Sequence, residues 1–279
     1  MLPEADDDIL SRHKSLHILP LIQMSKKQVS PAIRLAIAVP TYNEAKNLPK
    51  LVAKLKAAVA KTDASCMLMV IDDNSPDGTG DIAEKLAKTE RTDQFTIEVY
   101  HRTAKEGLGK AYVAGFKKLL AKNFTHILQM DADLSHDPKY LPEFIKAAGH
   151  ADFVVGSRYI KGGGTPDWAW NRKLLSRFGN LYTRVLLGST IHDYTGGFNL
   201  FSAELLGQLE LDKLQASGYG FLIELKHRAT KHAKGVHEIP IIFLDRIHGA
   251  SKIPRSTLVD NLILVLKLRS GSSNHETTH

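Results

Sequence analysis

The sequence predicts an α/β domain with a mostly parallel central sheet and helices on both faces. From residue 33 onward, short runs of aliphatic and β-branched residues alternate with segments whose apolar residues recur every three or four positions. The short runs show no regular change between apolar and polar residues, which is typical of parallel strands covered on both faces. With 279 residues, of which 43% are hydrophobic and 24% charged, the chain has the composition of an ordinary globular protein.

Five strands and three helices are predicted along the first part of the chain. Pro40 is expected to end the first strand, and Pro49 is compatible with the first turn of the first helix. The predicted strands cover residues 33–39, 66–71, 95–101, 125–130 and 152–155, and the predicted helices cover residues 48–59, 79–88 and 109–122.

The chain is expected to form one main domain with short additions. Residues 1–32 are a predicted flexible extension, 33–254 the domain, 255–270 an amphipathic C-terminal helix and 271–279 a disordered tail. The first residues are acidic, and no apolar run approaches the ~20 residues of a bilayer span, so neither a secretory signal nor a membrane helix is expected. The single cysteine, Cys66, lies in an apolar run and favours a reducing, cytoplasmic compartment.

The charge of the chain favours polyanionic ligands. The formal net charge is +7, which attracts nucleic acids, phosphorylated ligands or an anionic membrane surface. Between residues 158 and 184 there are basic residues at 158, 161, 172, 173, 177 and 184 and only one acid, Asp167. Because no zinc finger, basic zipper or basic–aromatic pattern accompanies them, we do not expect a nucleic-acid partner.

Polar clusters follow four of the predicted strands. Ligands of open α/β sheets bind beyond the carboxyl ends of the strands, so these clusters are expected to converge. Asp131 and Asp133 are spaced i, i+2, which turns both carboxylates to one side and suits Mg²⁺ or Mn²⁺ with a diphosphate. A strand-terminating acidic turn is the alternative interpretation of that pair. The clusters cover residues 40–44, 72–73, 131–133 and 156–159.

Two common nucleotide motifs are excluded. Gly107, Gly109 and Gly115 do not have the spacing of a dinucleotide fingerprint, and Lys110 is followed by Ala111 rather than by Ser or Thr as in a P-loop. A kinase or a dehydrogenase is therefore not expected.

A set of motifs between about residues 34 and 269 resembles the family-2 glycosyltransferases, and more narrowly the polyprenyl-phosphate (dolichol-phosphate) mannose synthases. Residues 39–44 and 71–79 carry motifs shared widely among family-2 enzymes. Residues 107–112 and 193–197 also carry the resemblance, and the much narrower motifs lie at residues 130–136, 156–159 and 245–252.

The resemblance implies a single GT-A-type nucleotide-sugar-binding domain. It also implies an inverting enzyme that moves mannose from GDP-mannose to a polyprenyl (dolichyl) monophosphate with Mg²⁺ or Mn²⁺. Ser135 stands where some relatives carry Gln, which leaves the metal shell open.

The site residues implied by the resemblance fall into three groups. Pro40, Tyr42 and Glu44 line the nucleoside pocket, and Val70 and Asp72 contact base and ribose. Asp131, Ala132 and Asp133 contact the donor, and Asp131 and Asp133 also bind the metal. Arg158, Arg246 and Lys252 bind phosphate groups.

A phosphate acceptor shifts the chemical requirement from a base to cations. The acceptor is already anionic at pH 7, so the site must orient two mutually repelling anions rather than remove a proton. We expect Arg158, with Arg172 or Arg177, to receive the lipid phosphate, and Arg246 and Lys252 to close over the donor. For Arg172 and Arg177 a solvated basic helix face is the alternative.

Attachment to a membrane surface is expected from two segments. Trp168 and Trp170 stand beside cations in a predicted mobile loop after residues 162–164, a combination that suits a membrane interface. The helix at 255–269 is expected to lie on the bilayer or to dock onto a separate membrane-anchoring subunit. The protein is thus expected to be peripheral on the cytosolic face of a membrane.

Two other functions stay open. One is glucose transfer from a UDP-sugar to polyprenyl phosphate, because Val70 and Asp72 do not identify the base. The other is a non-catalytic nucleotide-sugar-binding subunit, which would not need every charged motif residue. A sugar nucleotidyltransferase is disfavoured because residues 40–44 are not a glycine-rich basic loop.

Overall fold

A seven-stranded sheet forms the centre of the protein. The computed structural model describes residues 33–214, 216, 218–245 and 255–270. The strands have the spatial order β3-β2-β1-β4-β6-β5-β7. In chain order they are β1 (Arg34–Thr41), β2 (Ser65–Asp72), β3 (Phe95–His101), β4 (His126–Gln129), β5 (Phe153–Ser157), β6 (Asn199–Ser202) and β7 (Val236–Pro240).

Helices cover both faces of the sheet, in two separate layers of apolar side chains. One layer packs α1 and α4 against the sheet, and the other packs α3, α6 and α7 against the opposite face. The helices are α1 (Leu48–Val59), α2 (Thr79–Thr89), α3 (Leu108–Leu120), α4 (Leu141–Ala147), α5 (Trp170–Leu187), α6 (Ala203–Gln208), α7 (Gly218–His232) and α8 (Arg255–Ser270).

The predicted fold class is confirmed. All five predicted strands and three predicted helices are present, with ends shifted by two residues at most. Pro40 does not end β1, which continues to Thr41. The main-chain nitrogen of Pro40 faces the β4 side, where β4 has already ended at Gln129, so no ladder hydrogen bond is lost.

One strand runs against the others and extends the edge where ligands are expected. β6 pairs antiparallel with both β4 and β5, whereas the remaining pairs are parallel. The amino end of β6 therefore lies beside the carboxyl ends of its neighbours. As a result, residues 193–197, which precede β6, join the polar clusters at this edge.

Two predictions about the surface segments are wrong. The expected mobile loop contains only a short connection, because Trp170 begins the 18-residue helix α5. Its fully buried side chains are Asn180 and Thr183, while six apolar side chains between Trp170 and Val185 are exposed, so the usual apolar periodicity is largely inverted. The helix α8 is present, but apolar residues lie on both its buried and its exposed sides, so it is not simply amphipathic.

None of the helices in the described ranges has the length and apolar character needed to span a bilayer.

Candidate active site

A polar cavity of about 250 Å³ lies at the carboxyl ends of β1, β2 and β4. Three of the four predicted clusters meet in it. It is lined by Pro40, Thr41, Tyr42, Glu44, Asp73, Lys105, Gly107, Leu108, Ala111, Asp131, Ala132 and Asp133.

The two aspartates are held by different neighbours. Asp131 accepts a hydrogen bond from the hydroxyl of Tyr112 on α3 at 2.9 Å, and its backbone N–H donates to Nδ1 of His136 at 3.1 Å. Asp133 Oδ1 accepts from the backbone N–H of Ser135 at 3.1 Å and from its hydroxyl at 2.5 Å. Each carboxylate is therefore oriented by the protein.

The protonation states of the two neighbours of Asp131 follow from burial. Burial, with the nearby carboxylates of Asp131 and Asp133, raises the pKa of Tyr112 well above its ordinary value, so its hydroxyl stays a donor. Burial lowers the pKa of His136, which stacks on Phe198, so the imidazole is neutral at pH 7 and can accept at Nδ1.

The end of the cavity away from these aspartates combines an aromatic ring with charges. The ammonium of Lys105 lies 3.9 Å from the ring centroid of Tyr42. Asp73 forms an ion pair with Arg102, which also pairs with Glu106. This end offers both a stacking surface and hydrogen-bonding groups to a nucleoside base.

Two residues implied for the nucleoside lie beneath the cavity. Val70 is fully buried, and Asp72 is nearly so, accepting hydrogen bonds from Ser75 and Thr41. Neither lines the cavity, whereas Asp73 does. A direct role of Val70 and Asp72 stays a prediction.

The fourth predicted cluster supplies Arg158, a buried guanidinium fixed by Asp193. Arg158 Nε donates to Asp193 Oδ2 at 2.7 Å and Nη2 donates to Oδ1 at 2.8 Å, a bidentate arrangement. Nη2 also donates to the hydroxyl of Thr195 at 2.8 Å. Burial alone would raise the pKa of Asp193, but the charge and hydrogen bonds of Arg158, with the charge of Lys226, hold it far below its usual range.

A second, largely apolar cavity of about 170 Å³ lies between α5 and α8, with Arg158 at its wall. Its other polar residues include Arg172 and Ser176 from one face of α5. Two guanidiniums lie near the ring of Trp168: Cζ of Arg172 is 3.8 Å and Cζ of Arg158 is 5.4 Å from the ring centroid.

The two cavities are close neighbours through residues 193–197. Thr195 lines the apolar cavity. Two residues later, a Cβ placed on Gly197 would lie 3.5 Å from Asp131 Oδ1. The carboxylates of the polar cavity and the guanidiniums of the apolar cavity therefore both lie next to the segment 193–197.

The remaining predicted cations are placed differently. Arg172 lines the apolar cavity together with Arg158, and its role as an acceptor-phosphate ligand stays a prediction. Arg177 is exposed on α5 and does not line it. Arg246 and Lys252 lie outside the described residues.

Sequence reasoning missed several residues that complete the two cavities. Lys105 and Ser176 line them, but a single lysine or serine carries no spacing signal. Asp73 was expected only as a member of the cluster at residues 72–73, without a role of its own. Asp193 follows no predicted strand. Its only signal was the motif at 193–197, which the family resemblance included without a role.

The chemistry of the Asp131 and Asp133 pair fits a divalent cation that is shared with a ligand. Among the residues that the structure describes, no three His, Cys, Asp or Glu side chains form a metal cluster. Two carboxylates facing an open polar cavity are oxygen donors that Mg²⁺ and Mn²⁺ accept, and a nucleotide diphosphate is a suitable source of further ligands.

Comparison with curated proteins gives close relatives. The chain is 39% identical over 221 residues to an undecaprenyl-phosphate mannosyltransferase from Micrococcus luteus, covering 79% of this chain and 88% of the relative. It is 40% identical over 238 residues to a polyprenol monophosphomannose synthase from Mycolicibacterium smegmatis, covering 85% of this chain and 87% of the relative.

Two solved structures share the fold. Glucosyl-3-phosphoglycerate synthase from Mycobacterium tuberculosis, in complex with Mn²⁺, UDP and glucosyl-3-phosphoglycerate, matches with a TM-score of 0.56 at 18% identity, covering 86% of this chain and 80% of that one. Mannosyl-3-phosphoglycerate synthase from Rubrobacter xylanophilus matches with a TM-score of 0.56 at 15% identity, covering 88% and 77%. These likenesses confirm the GT-A-like fold.

The family profile described as "Glycosyl transferase family 2" matches residues 36–209, a span that holds both aspartates, Arg158 and Asp193. With the two relatives near 40% identity, this match identifies the resemblance as true membership. The chain belongs to glycosyl transferase family 2.

Proposed function

We propose that this protein transfers mannose from GDP-mannose to the phosphate of a polyprenyl monophosphate and produces polyprenyl-phosphate mannose. The observation that carries the proposal is the pair of adjacent cavities, one polar with two aspartates and one apolar with two arginines. A nucleotide sugar suits the first and an isoprenoid phosphate the second. The printed names of the two curated relatives support mannose as the sugar and a polyprenyl phosphate as the acceptor.

The polar cavity is the proposed donor site. Tyr42 and Lys105 would cover the base, Pro40 and Glu44 would contact the nucleoside, and Ala132 would contact the donor. Asp131 and Asp133 would hold Mg²⁺ or Mn²⁺. The ion, when bound, supplies a Lewis acid for the charge that develops on the leaving diphosphate.

Guanosine is the proposed nucleoside of the donor, on chemical grounds. A guanine edge presents two adjacent donors, N1–H and N2–H₂, to which a carboxylate can bind with both oxygens, whereas uracil presents one donor. Asp73 lines the base end of the cavity, and its ion pair with Arg102 holds the carboxylate there. This arrangement supports GDP-mannose over a UDP-sugar.

The apolar cavity is the proposed acceptor site. Arg158 and Arg172 would bind the lipid phosphate at its polar end, beside Ser176, and the first isoprene units would contact the apolar walls. Arg158 is already fixed by Asp193, so phosphate binding needs little rearrangement of this guanidinium. Because the phosphate oxygen is anionic, it can attack the sugar carbon directly, with inversion from an α-linked donor to a β-linked product.

The exposed side of α5 and α8 is the proposed membrane contact. Apolar side chains project to the surface at helical spacing on α5, starting with Trp170, which is 77% exposed. Cations on both helices would meet anionic headgroups. We place the protein on the cytosolic face of a membrane, with a separate membrane-anchoring subunit as the alternative occupant of this surface. The exposed apolar residues are Trp170, Leu174, Leu175, Phe178, Leu181 and Val185 on α5, and Val259, Leu262, Ile263 and Leu266 on α8.

The roles implied for Arg246 and Lys252 remain part of the proposal. Both cations would close over the donor diphosphate. If the variants Arg246→Ala and Lys252→Ala kept full activity, that closing role would be wrong.

The test is transfer of radiolabelled mannose from GDP-mannose to a short polyprenyl phosphate with Mg²⁺ or Mn²⁺, comparing wild type with Asp133→Ala and with the control Asp63→Ala, which removes an exposed aspartate. We expect an organic-extractable product that needs the metal and is lost only in Asp133→Ala. Product from UDP-glucose but not from GDP-mannose would overturn the donor assignment. Nucleotide binding without transfer to any polyprenyl phosphate would favour a non-catalytic subunit.

A further inference from the structure

Lys226 is a fully buried lysine that the proposed reaction does not yet use. It lies on α7 with no exposed surface, and its ammonium donates a hydrogen bond of 2.6 Å to the backbone carbonyl of Asp193. A buried ammonium is costly unless its surroundings compensate for lost hydration. Its hydrogen-bond partner is the main chain of the residue that fixes Arg158.

The segment at 193–197 is held from three sides, and Lys226 is one of them. From β5, Arg158 binds the carboxylate of Asp193. From α5, Asn180 Oδ1 accepts a hydrogen bond of 2.6 Å from the backbone N–H of Tyr194. From α7, Lys226 binds the carbonyl group between these two contacts. The position of the Arg158 guanidinium therefore depends on Lys226 through a single residue.

Two cations and two carboxylates meet around the ammonium of Lys226. The groups that act on its ammonium are Asp193 and Glu238, which attract it, and Arg158, which repels it. Glu238 is also paired with His192. Both buried cations meet at Asp193: Arg158 binds its carboxylate, and Lys226 binds its backbone carbonyl group. An anion bound at Arg158 would therefore also favour the charged form of Lys226.

We propose that Lys226 is a positioning residue of the acceptor-phosphate site, which holds Asp193 and with it Arg158 in place and adds positive potential for a phosphate monoester. The inference rests on the proposed function, because it assigns the anion at Arg158 to the acceptor. Lys226 itself does not touch the substrate.

The proposal predicts a link between acceptor binding and pH. Burial, with the repulsion from Arg158, lowers the pKa of Lys226 to about 8, despite the attraction of Asp193 and Glu238. An anion bound at Arg158 would raise that pKa, so binding near pH 8 to 9 must take up a proton. Affinity should be highest below pH 8 and fall as the pH rises through it. The phosphate monoester stays dianionic over this range, since its second pKa is about 6.

The experiment compares wild type, Lys226→Met, Lys226→Arg and, as a matched control, Lys231→Met, which removes an exposed lysine from the same helix. The dissociation constant of a short-chain isoprenyl phosphate is measured by calorimetry from pH 7 to 9.5, in buffers of different ionisation enthalpy. The Michaelis constants for acceptor and donor are measured alongside.

In wild type we expect the acceptor dissociation constant to rise about tenfold between pH 7.5 and 9, with proton uptake on binding. At every pH, Lys226→Met should have the high dissociation constant that wild type shows at pH 9. Lys226→Arg should keep the low dissociation constant at every pH. The donor constant and the melting temperature should change little in either variant. Lys231→Met should behave as wild type.

Three results would overturn the proposal. One is a Lys226→Met protein with wild-type acceptor affinity and pH profile, and another is loss of melting temperature with no change in acceptor binding. If Lys226→Met does not fold, a pH-independent wild-type affinity decides against it. If one of these results is found and the wild-type protein still transfers mannose, only the role of Lys226 is overturned. If the wild-type protein does not bind the isoprenyl phosphate at all, the proposed acceptor site is overturned as well.

Discussion

At the scale of single residues, the site depends on groups that hold the reactive side chains rather than on those side chains alone. Tyr112 and His136 orient Asp131, Ser135 orients Asp133, and Asp193 orients Arg158. Fixed dipoles and charges stabilise a developing charge without reorganisation, so small changes in these partners should affect the rate more than the stability.

Tyr112→Phe should lower the transfer rate about tenfold, because Asp131, a proposed metal ligand, loses one hydrogen bond. The apparent affinity for the divalent ion should fall in parallel. The ring stays packed between Phe116 and Phe221, so the melting temperature should hardly change. Metal titrations of the initial rate test this, with Tyr100→Phe on β3 as the control. Equal metal affinity in Tyr112→Phe and wild type would contradict it.

Trp168 should contribute to acceptor binding through its ring, which contacts both guanidiniums. A cation–π contact is worth about 0.5–2 kcal/mol. We therefore expect Trp168→Leu to raise the acceptor Michaelis constant about tenfold and Trp168→Phe to raise it less, with the donor constant unchanged. An equal effect of both variants on donor and acceptor would show a general loss of packing instead.

At the scale of elements, α5 is the unusual helix of the protein. It buries Asn180 and Thr183 and exposes a row of apolar side chains. Water would favour the reverse arrangement, so the exposed row supports the proposed membrane contact. The same helix supplies Arg172 and Ser176 to the apolar cavity, which couples the proposed membrane contact to the acceptor site.

Leu174→Glu and Leu181→Glu should each weaken binding to vesicles of anionic phospholipid by about tenfold or more, because each removes a side chain worth about 1.5–3 kcal/mol when buried. Neither residue lines the apolar cavity, so transfer to a short, water-soluble acceptor should persist. Thr89→Glu, on the exposed end of α2, is the charge-matched control for vesicle sedimentation. Unchanged sedimentation of both leucine variants would exclude this face as the membrane contact.

At the scale of the whole molecule, stability should depend on buried histidines. Burial, with the charges of Lys231 and Arg228, lowers the pKa of His227 to about 4, and burial also lowers the pKa of His126. Because their folded-state pKa values lie below that of an unfolded histidine, the unfolded state binds more protons as the pH falls from about 6.5. The contribution of these histidines to the free energy of unfolding is therefore complete above about pH 6.5 and is lost progressively towards pH 4.

For His227 the loss should reach at most about 3 kcal/mol between pH 6.5 and 4. His227→Gln should flatten the pH dependence of the free energy of unfolding, measured by denaturant titration from pH 7.5 to 4.5. His232→Gln, an exposed histidine on the same helix, should keep the wild-type dependence. If the free energy of unfolding of both variants changed with pH as it does in wild type, burial of His227 would not be the cause of the pH dependence.

The central sheet was largely predictable because its strands are short apolar runs. β1 to β5 and α1 to α3 follow from local pattern, and with them the convergence of residues 40–44 with the Asp131 pair. The local sequence pattern did not predict α5 and β6. The helix is apolar on its outer side, and the direction of the strand depends on pairing with β4 and β5.

The sequence by itself determined the fold class and the strand-end acids, because hydrophobic period and chain order are local properties. Only the tertiary structure decided which partners those residues have. Antiparallel β6 brings Asp193 to Arg158, and α7 places Lys226 behind both. These contacts join residues more than 30 positions apart, and no local pattern encodes them, because they arise when separate elements pack against one core.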